Sequence, residues 1–391
     1  MSQSLRDALA TIRTERVIEF ARAVTAAREP NGQEGERAKI VADLLSHPRV
    51  DIHVDPVLPG RPNVIARVRG TGRGPDVLLN AHLDAGYVPN GWSHDPHDPW
   101  QVGTRLYGGA ISDMLGGLAS MMATIEAAAS IDPLPGDIVL LANMYHDSNG
   151  LGTKYALASE GGWPQYGING EPTASGILTT HGGCVKFQID FTGRVAHVSR
   201  SEEGVDALVA AVDVYQAMRS FSFTHTPDPT LAAHPRFTVG MLQAGYAPAL
   251  VPDTAVLKGD VRTVPGMDWN TVRADLERVV AEAVPAGSGV TAKVGCLVRQ
   301  RAFVGPTGGV LFDALCAGHR DVYGGDPAVN AERAAQSFVT DAVDMAQAGI
   351  ETLIYGPGSW HFEPDEFIDV DEMAKAAQVY LATAYRLMGV S

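Results

Sequence analysis

The stretch DVLLNAHLD, Asp76 to Asp84, is a nearly continuous apolar run that ends on polar groups. A short run of this kind, too brief for a helix, reads as a strand covered on both faces. Similar runs lie on either side. PNVIARVRG (62–70) precedes it, DIVLLANMY (137–145) follows it, and ETLIYGPGS (351–359) lies far downstream. Between the second and third runs a helix is expected from about Ser112, with Met114, Leu115, Leu118, Met121, Met122 and Ile125 at helical spacing. Strands that alternate with helices give an α/β fold, a mixed but mostly parallel sheet with helices on both faces.

The middle of the chain follows another pattern. CVKFQIDFTG (184–193) alternates with period two and puts Val185, Phe187, Ile189 and Phe191 on one face. A helix is expected over about 204–220, then the strands RFTVGMLQAG (236–245) and TAVLKGDVRTV (254–264). A second helix over about 268–284 and a strand GVTAKVGCLV (289–298) complete the order β-α-β-β-α-β. The expected domains are therefore 1–180, an inserted ferredoxin-like unit at 181–298, and 299–391, which completes the first. The opening MSQSLRDALATIRTERVIEF reads as an amphipathic helix, and a C-terminal helix is expected from about Val370.

Composition narrows the partners. The 391 residues are 45% hydrophobic and 19% charged, as in globular proteins. Thirty Lys and Arg against 45 Asp and Glu give a net charge of −15. This argues against a nucleic-acid surface and against docking on anionic lipid. No apolar run approaches the roughly 18 residues of a spanning helix, and the first residues lack the pattern of a secretory signal. Cys184, Cys296 and Cys316 are scattered and show no CxxC spacing. A cytoplasmic setting is the expectation.

Chemistry-bearing residues recur where strands give way to loops, which is where open α/β sheets bind ligands. His82 and Asp84 close the first run; their spacing suits a metal ligand and a carboxylate that orients it. Asp113 lies at the expected first turn of the following helix. Glu171 follows another strand in INGEPT, and His361 follows the turn in YGPGSWHFEPDEF. Each alone reads equally well as a helix-start acid or a solvated loop residue. Together, two histidines and several carboxylates are the donor set of a borderline divalent ion such as zinc, manganese or cobalt.

Over essentially its whole length the chain resembles the aminoacylase, carboxypeptidase and succinyl-diaminopimelate desuccinylase family of co-catalytic metallohydrolases, peptidase family M20. The matching stretches are NAHLDAGYVP, WSHDP with RLYGGAISDMLGGLAS, GEPT, TGRVAHVSRSEEGVDAL, GDVRTVPG, and VTDA with GIETLIYGPGSWHFEPDEF. The resemblance implies a zinc-peptidase-like catalytic domain with an inserted lid and dimerisation domain. It implies one or two divalent ions, zinc first, with manganese or cobalt as alternatives. His82 corresponds to a metal ligand supported by Asp84, Asp113 to the bridging carboxylate, Glu171 to a ligand of the first metal and His361 to one of the second. His197 matches a lid histidine that reaches a neighbouring subunit's site and stabilises the developing oxyanion. Arg262 matches an arginine that holds a substrate carboxylate. A homodimer acting on a small carboxylated substrate is implied.

The sequence departs from the family at one decisive place. Two adjacent glutamates, a general base and a metal ligand, are expected in MYHDSNGLGTKY. Aligned through Gly152 and Lys154, their places fall to His146 and Asp147. Asp147 retains a carboxylate on a shorter stem. His146 takes the place of the base, for which an imidazole with a reference pKa of about 6.5 is suited; the alternatives are that His146 binds the metal itself or does neither. The segment before Asp113 is Gly108, Gly109, Ala110 and Ile111, the lysine expected after it is Leu115, and an asparagine expected in the lid is Ala249. The leading expectation is a metal-dependent hydrolase of an amide-type C–N bond with an altered base. The alternatives are a catalytically inactive binding homologue and a specialised hydrolytic deaminase.

Overall fold

The computed structural model describes all residues except 29–31, 86–88, 147–148, 160–161, 227–230, 232–233, 331–337, 360–362 and 391. Asp147 and His361, expected as metal ligands, lie outside the described residues. The chain divides into two compact units. One comprises 1–179, 304–334 and 340–391, and the other 180–303 with 335–339.

The first unit opens with two helices, α1 (Gln3–Leu9) and α2 (Thr14–Thr25), where a single amphipathic helix was expected; Arg13 has extended backbone and breaks the run. After α3 (Gly35–Leu44) come the strands β1 (Val50–Leu58), β2 (Arg61–Val68) and β3 (Val77–His82). A short pair, β4 (Trp100–Val102) and β5 (Arg105–Tyr107), leads to a tight turn over Ile111–Leu115 and then α4 (Gly116–Ser130). Asp113 therefore does not sit in the first turn of the helix. Its φ of −125° and ψ of 91° place it in the irregular segment ahead of α4. β6 (Ile138–Asn143), α5 (Leu151–Ala158) and β7 (Tyr166–Asn169) complete this part.

The second unit contains the short β8 (Thr180–His181), then β9 (Gly183–Thr192), α6 (Ala207–Met218), β10 (Arg236–Ala244), β11 (Thr254–Thr263), α7 (Trp269–Ala283) and β12 (Thr291–Gln300), and the short β13 (Phe303–Val304) spans its boundary with the first. Its four long strands pair antiparallel in the order β10-β11-β9-β12. Val185, Phe187, Ile189 and Phe191 are buried with Val214 of α6 and Leu276 of α7. The period-two alternation of β9 thus supplies one apolar face for both helices. Asp268 caps α7, accepting from the N–H groups of Asn270 and Thr271.

The chain then returns to the first unit through α8 (Val310–Tyr323), α9 (Ala342–Gln347), β14 (Glu351–Ile354), β15 (Phe367–Asp369) and α10 (Val370–Leu387). The main sheet has the order β1-β2-β6-β3-β7-β14. The three pairings from β6 to β14 are parallel and the two towards β1 antiparallel. Both faces are covered. Val77, Leu79 and Ala81 of β3 pack with Ile138, Leu140 and Ala142 of β6 in the core that holds α2, α4 and α10. The intervening Leu78, Val139 and Leu141 pack with Ala156 of α5 and with Met345 and Ile350 around α9. By parity, Asn80, His82 and Asn143 belong to this second face, beyond its small apolar cluster and towards the carboxyl ends of the strands.

Candidate metal centre

His82 is the last residue of β3 and is buried. Its Nδ1 lies 2.8 Å from the backbone oxygen of Asp84, and its Nε2 points the other way, 3.4 Å from Oδ1 of Asp113 and 3.8 Å from Oε1 of Glu171. The support expected from the Asp84 carboxylate thus comes from that residue's carbonyl. The carboxylate, 3.7 Å from His82 Nδ1, accepts instead from the backbone N–H of His146 at 3.0 Å.

His146 follows the carboxyl end of β6, on a turn fixed from several sides. Tyr145 has a φ of 58° and carries the Arg61 guanidinium 3.7 Å over its ring. Arg61 is paired with the buried Glu34. Asn63 accepts from the Met144 N–H and donates to the Gly152 carbonyl. A Cβ on Gly152 would lie 2.4 Å from the Met144 oxygen, so the return of the turn has room only for glycine. The outcome is that the His146 ring stacks on His82, 4.7 Å between centroids and 6° from parallel. Its Nε2 lies 3.7 Å from the same Glu171 Oε1, and its Nδ1 lies 3.3 Å from Oδ1 of Asp341.

Glu171 is held two residues beyond β7 by a close backbone approach. A Cβ on Gly356 would meet the Gly170 oxygen at 2.2 Å and the Glu171 oxygen at 2.5 Å. Asp113 is partly exposed, whereas His82, His146, Glu171 and Asp341 are buried. Ligand-type atoms of His82, His146 and Glu171 all lie within 4.8 Å of one another.

The charges of this cluster act strongly on one another. Burial disfavours protonated His82, but the Asp113, Asp84 and Glu171 carboxylates outweigh burial and the nearby His146, and its pKa is pushed up to about 9. His146 is likewise raised, against burial, chiefly by Asp341. Burial and the Asp113 carboxylate push Glu171 up to about 8 despite both imidazoles. Asp113 and Asp341 are lowered, since His82 for the one and His146 for the other outweigh the burial that opposes ionisation. The carboxylates therefore hold protons on their neighbours, a role a divalent ion fills with fixed charge.

The residues present fit such an ion. Glu171 Oε1 is buried and has no hydrogen-bond partner among the described residues, although two imidazole nitrogens face it. Its separations from them, 3.7 and 3.8 Å, are too long for hydrogen bonds and leave space for an ion between. Imidazole nitrogen with carboxylate oxygen is the donor set for zinc and its neighbours.

His197 and Arg262 belong to the second unit. His197 is exposed, caps the short turn Val198–Glu203 and lies 2.9 Å from Ser199 Oγ. Arg262 projects from β11 with Nε 3.1 Å from Oδ1 of Asp260. Two substitutions noted in the sequence have a packing explanation: Ile111 and Leu115 are fully buried in the core beneath α4, where apolar side chains are favoured. Asp341 had no assigned role in the sequence reading. Its only signal was its place within the matching stretch VTDA.

Residues 179–288 match the peptidase dimerisation domain. The chain is 28% identical to an acetylornithine deacetylase of Vibrio cholerae, covering 88% of this chain and 89% of that protein. It is 27% identical to carboxypeptidase G2 of a Pseudomonas species, over 82% and 75% of the two chains. Among solved structures, a dinuclear metal-binding peptidase of the M20 family from Bacillus subtilis superposes with a TM-score of 0.70 at 17% identity, covering 97% of this chain and 99% of that one. The matched segment, the length of the alignments and the shared architecture agree: over most of its length the chain is similar to amide-cleaving hydrolases, and it shares the fold of a peptidase of the M20 family.

Proposed function

We propose that the protein is a metal-dependent hydrolase that cleaves an amide-type C–N bond in a small substrate bearing a carboxylate. The observation that carries this reading is the buried meeting of His82, His146 and Glu171, whose ligand atoms lie within 4.8 Å, around an unpartnered Glu171 oxygen. His82, Asp113 and Glu171 would hold the ion, with Asp147 and His361 as further ligands. Bound there, a divalent ion supplies Lewis-acid polarisation of a carbonyl and a lowered pKa for water.

The chain's own groups do the rest. The Asp84 carbonyl fixes the His82 ring so that its second nitrogen faces the cluster. In this reading Arg262 binds the substrate carboxylate with its guanidinium, and His197 donates to the oxygen that gains charge. The match to a dimerisation domain supports a homodimer, in which His197 serves the partner's site. The relatives named above support deacylation of an N-acyl amino acid or release of a terminal amino acid. Among the described residues no helix is long and apolar enough to cross a membrane, which fits a cytoplasmic enzyme of small molecules.

The test is metal analysis of gently purified protein, followed by hydrolysis of a panel of N-acyl amino acids and dipeptides with added zinc, manganese or cobalt. Stoichiometric metal and turnover of a carboxylated amide are expected. Protein that takes up no divalent ion sinks the reading. Metal uptake without turnover on any amide favours a binding homologue, for which the replaced glutamate pair at 146 and 147 is the specific argument.

A further inference from the structure

Three asparagines run through the sheet behind the metal centre, on its otherwise apolar strands. Asn169 Nδ2 donates to Asn80 Oδ1 at 2.8 Å, Asn80 Nδ2 donates to Asn143 Oδ1 at 2.9 Å, and Asn143 Nδ2 donates to Asp341 Oδ2 at 2.6 Å. They belong to the neighbouring strands β7, β3 and β6, and all four residues are buried. Every amide in the row donates in the same direction, so the row has a polarity and ends on a carboxylate. Accepting an amide hydrogen favours the ionised form of Asp341.

Ionised Asp341 offers His146 only an acceptor. Its Oδ1 lies 3.3 Å from His146 Nδ1, and neither atom has a hydrogen-bond partner elsewhere among the described residues. The hydrogen of a neutral His146 ring therefore belongs on Nδ1, and the lone pair is left on Nε2. That nitrogen faces Glu171 Oε1, as does Nε2 of the parallel His82 ring. The two histidines are thus used alike: each turns Nδ1 to an oxygen behind it and Nε2 to one common point.

We infer that His146 is a nitrogen ligand of the metal ion, and that Asp341 with the row Asn143, Asn80 and Asn169 is the positioning device that sets its tautomer. This rests on the metal-dependent reading above and assigns His146 a role other than the general base favoured from its place in the sequence. A base needs a water molecule between its nitrogen and the ion. The Nε2 of His146 faces instead, at 3.7 Å, the same Glu171 Oε1 that the Nε2 of His82 faces at 3.8 Å. Outer partners that orient a ligating histidine typically contribute 10–100-fold to metal affinity.

The experiment loads metal-free full-length protein with zinc and, separately, with cobalt. Affinity is read by chelator competition, cobalt coordination by visible absorption, and the zinc-bound histidine nitrogens by nitrogen NMR. His146→Ala should weaken zinc binding by at least about tenfold and change the cobalt spectrum. Asp341→Asn, which keeps shape, should weaken zinc binding by about 10–100-fold. It serves as the second route should His146→Ala fail to fold. Asn143→Leu should shift affinity in the same direction by less. In the zinc-bound wild type, His146 should show a protonated Nδ1 and a metal-shifted Nε2. Unchanged zinc affinity and cobalt spectrum in both His146→Ala and Asp341→Asn overturn the inference while leaving metal-dependent hydrolysis intact. Wild-type protein that binds neither ion overturns both readings together, so the two failures are distinguishable.

Discussion

The two units of this chain handle polar groups in opposite ways. The sheet of the first carries asparagines and a histidine inside its fold with buried acids beside them, the asparagines joined from strand to strand and on to Asp341. The sheet of the second buries a largely apolar face and leaves its candidate chemical groups, His197 and Arg262, on or near the surface, where His197 lies against Ser199 and Arg262 against Asp260. Buried polar groups gain precise geometry but tolerate little change, because an unmatched donor or acceptor in the interior costs about 1–3 kcal/mol. Surface groups can change identity at small cost to the fold. The buried cluster is accordingly the part least tolerant of substitution, and the exposed positions of the second unit are the most tolerant.

The sharpest test of this contrast is His82→Ala. Stoichiometric metal and measurable hydrolysis should both vanish, while circular dichroism shows a folded chain. Retention of full metal content breaks the comparison at once. Next in size is Phe187→Ala in the apolar core of the second unit, where Phe187 is fully buried. A loss of about 3–5 kcal/mol is expected in denaturant unfolding, with zinc affinity of the folded protein unchanged. A coupled loss of affinity would show that the two units do not divide their tasks.

Arg262→Ala should lower kcat/KM roughly 10–150-fold, mainly through KM, as follows from about 1.5–3 kcal/mol for a charge-assisted hydrogen bond. Its metal content should match the wild type. If kcat alone falls, Arg262 does not hold a ground-state carboxylate. The smallest effect concerns pH. In metal-free protein His82 is raised to about 9 and Glu171 to about 8, so the folded state holds more protons than the unfolded one above their ordinary values. The stability linked to His82 is present below about pH 6.5 and is lost as pH rises through about 9. Ionising buried Glu171 acts in the same sense. The Tm of metal-free protein should therefore fall from pH 6.5 to 9, and added zinc should restore it more at the upper end. A Tm that rises over this interval without metal contradicts the charge balance described for the cluster.

Much of the fold was legible because burial leaves a periodic trace. The unbroken runs at β3 and β6 mark strands covered on both faces, and the alternation in β9 marks one apolar face. His82 and Glu171 were visible for a related reason, since both stand where an apolar run stops. Asp341 was not visible, because it lies 195 residues beyond His146 and meets it only through folding. The asparagine row was equally hidden. Asn80, Asn143 and Asn169 look like isolated polar interruptions until strand order and register place them side by side. Asp113 was assigned to a helix because the apolar spacing around it is helical. The backbone instead delays the helix to Gly116 and lets the carboxylate turn towards His82.

Asp84 holds the turn after β6 through the backbone N–H of residue 146 and not through its side chain. That latch takes no notice of which side chain the position carries. Over evolutionary time a carboxylate could be exchanged there for an imidazole without the loop coming loose, and the exchange would have to be accommodated only by what the new ring faces. The turn is in this sense modular: it is held by its main-chain N–H groups, and the side chain at 146 can change without loosening it.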